Sequence, residues 1–298
     1  MKGRIIKSLS GFYYVRTEDR RVYECKAKGA FRNENITPLV GDRVEFDVIS
    51  EQEKTGNVTQ IYDRRNHLFR PAVANVDQAM VVFAVRTPNP NLSILDRFLV
   101  LMKKQGIETI IVFNKKDLAK LDDIKNLKAT YKKSGCKVFF TSAGAEKPSL
   151  GSLKMQLRGK VTVMAGPSGV GKSTILNALS RSGSDEMAQV GEISSKAGRG
   201  KHTTRHNEIY FIGKNYQIVD TPGFTSLLVS DEDVEREELK NLFPEFAPYG
   251  VKCPFRDCAH IKERDCAVRK AVDDGKIPQS RYNSYRSIYE ELKSQKKF

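Results

Sequence analysis

The chain has 298 residues, 39% hydrophobic and 29% charged, with a formal net charge of +15. That length accommodates two or three domains with cores of their own, and the composition is that of an ordinary globular protein. No apolar run approaches the roughly 20 residues that cross a bilayer, and Met1-Lys2-Gly3-Arg4 opens no signal-peptide core, which argues against a membrane partner and for a cytoplasmic protein.

Residues 1–63 read as short strands. Ile5-Ile6, Phe12 to Val15, Arg21 to Cys25, Val44 to Val48 and Val58 to Tyr62 are apolar or alternating, with turn signals such as Val40-Gly41-Asp42 between them. Five short strands in that span predict a small β-barrel of the OB type. From Val76 the pattern becomes strand–helix alternation. Val76 to Val85 and Thr109 to Phe113 are nearly continuous apolar runs, as in buried parallel strands. Helical periodicity covers Ser93 to Gln105, with Ser93 as N-cap, and then Leu121 to Lys133. A strand over Lys137 to Phe140, a helix over Ser149 to Leu157, a strand over Val161 to Ala165 and a helix over Thr174 to Leu179 follow. Ile209 to Ile212 and Tyr216 to Val219, joined by Gly213-Lys214-Asn215, predict an edge hairpin. Residues 64–225 are therefore expected to form a parallel sheet covered by helices. Residues 226–298 read as an α-helical domain. It has an acidic helix from Asp231 to Leu242, a cysteine-rich stretch and a last helix over Ser280 to Lys296. Tyr285, Ile288, Tyr289 and Leu292 make a packing stripe on that last helix.

The strongest chemical signal is Gly166-Pro167-Ser168-Gly169-Val170-Gly171-Lys172-Ser173, followed by Thr174. It fits the phosphate-binding loop G-x-x-x-x-G-K-[ST] and lies between a predicted strand and a predicted helix, as that motif requires. Glycines let backbone N–H groups converge on phosphate oxygens, Lys172 reaches the β- and γ-phosphates, and the Ser173 hydroxyl ligates Mg²⁺. Asn114-Lys115-Lys116-Asp117 is an N-K-x-D motif directly after a buried strand. Guanine offers two donors on one edge, which the Asp117 carboxylate accepts; adenine presents an acceptor there. Thr141-Ser142-Ala143 follows the next strand and matches an S-A element whose backbone faces the guanine oxygen, with Gly144 in place of the usual Lys. Asp220-Thr221-Pro222-Gly223 matches D-x-x-G, whose Asp holds Mg²⁺ through water and whose Gly meets the γ-phosphate. The chain thus binds GTP and GDP, and it carries its motifs in permuted order: base motif, S-A, phosphate loop, then D-x-x-G.

Cys253, Cys258, His260 and Cys266 offer three thiolates and one imidazole, a full tetrahedral set for one structural Zn²⁺. In a reducing compartment such a cluster reads as a metal site before it reads as disulfides. Charge is concentrated in the middle of the chain. Residues 64–150 carry 16 Lys and Arg against 7 Asp and Glu, and residues 151–225 carry 10 against 5. Such a surplus is either a solvated basic surface or the footprint of a polyanionic partner.

The permuted motif order, the strand-rich leader with Val40-Gly41-Asp42 and the terminal cysteine cluster together resemble the RsgA/YjeQ family of ribosome small-subunit-dependent GTPases, over essentially the whole chain. The resemblance implies GTP hydrolysis stimulated by the small ribosomal subunit and its rRNA, late in the assembly of that subunit. It supports all four metal ligands. It also assigns roles within the basic segment from Ser194 to His206: His202 as the residue that orients water, since Phe224 and Thr225 replace the usual Gln, and Thr204 in preference to Thr203 as a Mg²⁺ ligand. The domain limits expected are 1–63, 64–225 and 226–298, in a monomer. A GTP-dependent switch that recruits a protein and touches no RNA is the competing reading.

Overall fold

A computed structural model describes residues 1–28, 31, 36–69, 72–180, 208–213, 215–220 and 234–295. The chain divides into two compact units. One comprises Met1–Gln78, Leu153–Ala165 and Leu179–Pro222; the other comprises Ala79–Ser152, Gly166–Ala178 and Gly223–Phe298.

The first unit opens with the expected barrel. Strands β1 (Lys2–Leu9), β2 (Phe12–Arg16), β3 (Val22–Ala27), β4 (Arg43–Ser50) and β5 (Thr55–Ile61) close in the order β1-β2-β3-β5-β4. Only β3 and β5 pair in parallel; the other neighbours are antiparallel. This is the arrangement of a five-stranded OB barrel. Alternation explains it: Tyr23 and Cys25, and Val44 and Phe46, point inward with Ile5, Val15 and Val58, all completely buried. Register shifts in β1 and β4 bend those strands, as closure requires. A short pair, β6 (His67–Phe69) with β7 (Ala72–Ala74), was not foreseen, because three residues are too few to show a period. The Val40-Gly41-Asp42 turn is a packed corner. The Asp42 carboxylate, fully buried, meets Arg64 Nε at 2.8 Å and accepts from Leu39 N–H at 2.7 Å.

The same unit holds the edge hairpin. Strands β11 (Val161–Ala165), β13 (Tyr216–Asp220) and β12 (Ile209–Ile212) lie in the order β11-β13-β12, with β11 and β13 parallel. In the second unit β8 (Gln78–Ala84), β9 (Thr109–Asn114) and β10 (Lys137–Phe140) are parallel, with β9 in the middle. Every residue of β8 and β9 is buried, which is why neither alternates. Helices α1 (Leu92–Lys104), α2 (Leu121–Tyr131), α3 (Gly151–Leu157) and α4 (Lys172–Ser180) follow their strands. Helix α1 starts before Ser93 because Asn91 caps it, its side chain accepting from Ile94 N–H at 3.3 Å.

The acidic helix expected over Asp231 to Leu242 does not form where the chain is described. Val234 and Glu235 have no regular structure, Arg236 to Glu238 form a turn, and Leu239–Leu242 and Pro244–Phe246 are single 3₁₀ turns. Glu238 accepts from Glu235 N–H at 2.8 Å and meets Lys104 at 2.5 Å, so its carboxylate closes a local turn instead of facing solvent on a helix. Helices α5 (Ala267–Asp273) and α6 (Gln279–Gln295) end the chain. The stripe on α6 is core, as expected: Tyr285, Ile288 and Leu292 are fully buried.

Candidate nucleotide site and metal centre

The base motif and the phosphate loop are held together by one side chain. Asn114 ends β9 and is buried. Its Nδ2 donates to Val170 O at 3.0 Å, in the phosphate loop. Its Oδ1 accepts from Thr141 Oγ1 at 2.9 Å and from Ala143 N–H at 3.1 Å, in the S-A element. Three segments that are separate in sequence are therefore fixed to one amide. Lys116 N–H adds a bond to Thr141 O at 2.9 Å. Asp117, next along the loop, is exposed and free to meet a base.

Two glycines make this junction possible. At Gly171 φ is +96°, and a Cβ would lie 2.3 Å from Asn114 Nδ2. At Gly166 φ is +152°, and a Cβ would lie 2.2 Å from Val82 O. Neither position admits a side chain. Lys172 Nζ donates to Gly166 O at 2.7 Å and Pro167 O at 2.9 Å, which holds the ammonium over the loop. Lys172 and Ser173 open α4, so the phosphate loop leads directly into the helix N-terminus. Ser173 is half-buried and Thr174 exposed, and the position of a Gly144 Cβ lies 3.7 Å from Thr174 Cγ2, which brings the S-A loop against α4.

Sequence reasoning missed the support behind Lys115. Lys115 adopts φ +60° and its Nζ donates to Thr87 O at 2.5 Å, while Val85 N–H donates to Asn114 O at 2.8 Å. Arg86, between them, pairs with Asp123 of α2 at 2.7 Å. The segment after β8 thus buttresses the base motif. No sequence pattern marks it, because two of its three contacts use backbone atoms. Of the D-x-x-G element, the backbone of Asp220 ends β13 opposite Met164 of β11, two residues before Gly166. The Asp220 side chain, Gly223, His202, Thr203 and Thr204 lie outside the described residues.

The four predicted metal ligands do converge. Their donor atoms lie within 4.8 Å of one another. Cys253 Sγ is 3.6 Å from His260 Nδ1 and 3.9 Å from Cys266 Sγ, and Cys266 Sγ is 3.4 Å from His260 Nδ1. A tetrahedral Zn²⁺ with ordinary bond lengths would set S···S near ~3.8 Å and S···N near ~3.5 Å, so the donor set fits that ion. Burial pushes the Cys258 thiol up to about 12, so this thiol ionises only with a cation to compensate it. The surrounding groups fix the ligand loop. Glu263 accepts from the N–H groups of Ala259, Ile261 and Lys262 at 2.7–3.0 Å. Tyr282 and Tyr285 donate from α6 to His260 O and Ala259 O at 2.8 and 2.5 Å.

A second unforeseen feature joins this region to the nucleotide half of the unit. Arg281, only 1% exposed, donates from Nη1 to Asp96 Oδ1 of α1 at 2.6 Å and from Nε to Glu245 Oε1 at 2.6 Å. Tyr131 of α2 donates to the same Asp96 oxygen at 3.0 Å. Burial works against the guanidinium charge, but Asp96 and Glu245 outweigh it and raise its pKa. The available signal was a charge on each apolar stripe: Arg281 precedes Tyr285, Ile288 and Leu292 at helical spacing, and Asp96 sits between Leu95 and Leu99.

With this geometry in place, comparisons with known proteins are informative. Residues 61–230 match the RsgA GTPase family model, and residues 2–58 match the RsgA N-terminal domain. A relative from Agathobacter rectalis, "Small ribosomal subunit biogenesis GTPase RsgA", is 46% identical over all of both chains. A protein of the same name from Geobacillus kaustophilus is also 46% identical, covering 99% of this chain and 98% of its own. Among solved structures, YloQ, described as a circularly permuted GTPase, is 39% identical with a TM-score of 0.76, covering 100% of this chain and 96% of its own. YjeQ from Thermotoga maritima is 36% identical with a TM-score of 0.79, covering 98% of each chain.

Proposed function

The chain belongs to the RsgA GTPase family and is a GTP hydrolase, and from that premise we propose that it turns GTP into GDP and phosphate on the small ribosomal subunit, in the biogenesis of that subunit. The observation that supports this reading is the Asn114 junction, which ties the N-K-x-D loop, the S-A element and the phosphate loop together through one amide. Asp117 selects guanine. The backbone around Ser142 and Ala143 faces the base oxygen. The N–H groups of Gly166 to Thr174 and the Lys172 ammonium hold the phosphates, and together they stabilise the charge that develops as the γ-phosphoryl group leaves. Ser173, Asp220 through water, and Thr204 would hold Mg²⁺, and Gly223 would meet the γ-phosphate. The ion would supply positive charge that neutralises the phosphates. His202 orients the attacking water.

The Cys253, Cys258, His260 and Cys266 set would hold one structural Zn²⁺, with no open position for chemistry. The barrel of residues 1–63, the nucleotide region 64–225 and the metal region 226–298 act as three parts of a cytoplasmic monomer. Its basic middle segments face rRNA. The test is multiple-turnover GTP hydrolysis with and without purified small subunits at low salt. Subunits should accelerate the parent, salt should erode that acceleration through counterion release, and His202→Ala should lose most of the stimulated rate while keeping GTP affinity. An unstimulated parent would remove the ribosomal reading and favour a protein-recruiting switch. Equal stimulation of His202→Ala would remove only the role of that histidine.

A further inference from the structure

The carboxylate of Asp117 is carried on a turn with no core of its own. Lys116–Leu118 is a single 3₁₀ turn, and all three of its residues are exposed. Leu118 N–H donates to Lys115 O at 3.0 Å and Ala119 N–H to Lys116 O at 3.1 Å, which shapes the turn without fixing its place. Its place rests on what holds the two ends of the loop. The near end is held several times over: by the Asn114 amide, by Val85 N–H on Asn114 O and by Lys115 Nζ on Thr87 O. Thr87 (φ +51°) and Lys115 (φ +60°) both hold left-handed backbone, which a branched residue such as Thr takes only where its surroundings impose it. At the far end, the Arg86 guanidinium donates to both oxygens of Asp123, from Nε at 2.7 Å and from Nη2 at 3.2 Å. The same carboxylate accepts from the N–H of Lys120, where the loop passes into α2, at 3.0 Å. No residue of α2 before Leu127 is buried, so core packing does not fix this end.

The fold itself does not need the Arg86 pair. Strand β8 is paired with β9 from Ala79 to Ala84, and α2 is anchored by buried Leu127 and Tyr131, whose hydroxyl reaches Asp96. What the pair adds is direction. A planar guanidinium laid across a carboxylate with two bonds fixes orientation as well as distance, which a lysine at the same place would not. Direction matters at Asp117 because guanine offers two donors, the ring N1–H and the 2-amino group, and both must lie in line with one carboxylate. Hypoxanthine offers the N1–H alone. A carboxylate slightly out of place can keep one of two bonds at the expense of the other, so a loop freed at its far end costs guanine more than hypoxanthine.

We propose that Arg86 is a positioning residue for base recognition: through Asp123 it pins the far end of the loop that carries Asp117, and so sets how strongly the site prefers guanine. The inference rests on the assignment of Asp117 to the base. It is tested on the full chain by turnover of GTP and of inosine triphosphate, each resolved into kcat and KM, with thermal melting of every variant. The parent should prefer GTP through KM. In Arg86→Met, KM for GTP should rise about fivefold, the scale of a half-exposed bidentate pair, and KM for inosine triphosphate by less, with kcat kept for both. Melting should match the parent. Arg86→Lys, which keeps the charge and loses the fork, should fall between parent and Arg86→Met. Asp123→Asn keeps an acceptor for Lys120 N–H and loses the ion pair; it should reproduce Arg86→Met, and the double variant should be no worse than either single one. Parent-like KM and selectivity in Arg86→Met would overturn the proposal. So would an equal rise in KM for both nucleotides, a fall in kcat with a fall in melting temperature, or effects of Arg86→Met and Asp123→Asn that simply add. A parent indifferent between the two nucleotides would remove the base assignment of Asp117, and this inference with it, whereas an intact parental preference with unchanged variants removes the role of Arg86 alone.

Discussion

Asn114 binds Thr141 and Val170, 27 and 56 positions further along the chain, whereas Arg281 binds Glu245 and Asp96, 36 and 185 positions back. Both side chains are buried and both join segments within the same unit. They differ in what they join. Asn114 is a neutral amide that satisfies backbone and hydroxyl groups in loops whose job is to hold a ligand. Arg281 is a charge enclosed by two carboxylates, two aromatic rings and the helices that carry them. Leaving one bond of the buried amide unmade costs about 1–3 kcal/mol, whereas removing one partner of a buried ion pair costs about 3–5 kcal/mol. The nucleotide loops are thus held by individually weaker contacts than those that lock the C-terminal helices to α1 and α2.

That contrast can be broken from either side. The largest effect should come from Lys172→Ala, which removes the charge facing the phosphates. Hydrolysis should fall by about a thousandfold or more, on the scale that charge stabilisation has in phosphoryl transfer, with unchanged melting measured by circular dichroism. Next is the metal region. Stripping metal with a chelator, or Cys258→Ala, should cost about 4 kcal/mol or more of stability in the C-terminal helices, since loss of a structural metal belongs among the most damaging changes. Elemental analysis of untreated protein should show one Zn²⁺ per chain. Arg281→Met should cost about 3–5 kcal/mol, because Asp96 and Glu245 are left as uncompensated buried charges. Denaturant titration measures that loss. GTP affinity, taken where the variant is still folded, should be near that of the parent. A large loss of GTP affinity in folded Arg281→Met would mean that the lock and the nucleotide loops are one device, and the comparison would fail.

The sequence was most informative where chemistry demands particular residues at fixed spacing. Gly166 to Ser173 and Asn114 to Asp117 stood out because each motif demands particular residues at fixed spacing; the structure adds that Gly166 and Gly171 admit no side chain and that the two segments meet at the Asn114 amide. The metal ligands could be read from residue type, and their distances bear out the grouping. Barrel strands could be read from alternation, as at Tyr23 and Cys25. The acidic stretch ending at Leu242 misled, because helix propensity there yields to a turn closed by the Glu238 carboxylate and held by Lys104. The Thr87 support of Lys115 was invisible, since a carbonyl acceptor has no sequence signature. The pairing of Arg4 with Arg16 and with Arg43 across the barrel was invisible for another reason: these residues meet only through strand register, which a list of strands does not contain.

The central claim is that Asp117 and the phosphate loop act as one guanine-specific hydrolytic site. The most direct test compares turnover of GTP and xanthosine triphosphate by the parent and by Asp117→Asn. Xanthine carries an acceptor where guanine has its amino donor, so the parent should prefer GTP. The variant should lose GTP and gain the xanthine nucleotide, with the maximal rate little changed because Lys172 and Ser173 are intact. Asp117→Asn turning over GTP with the parent's KM and the parent's selectivity would contradict the account.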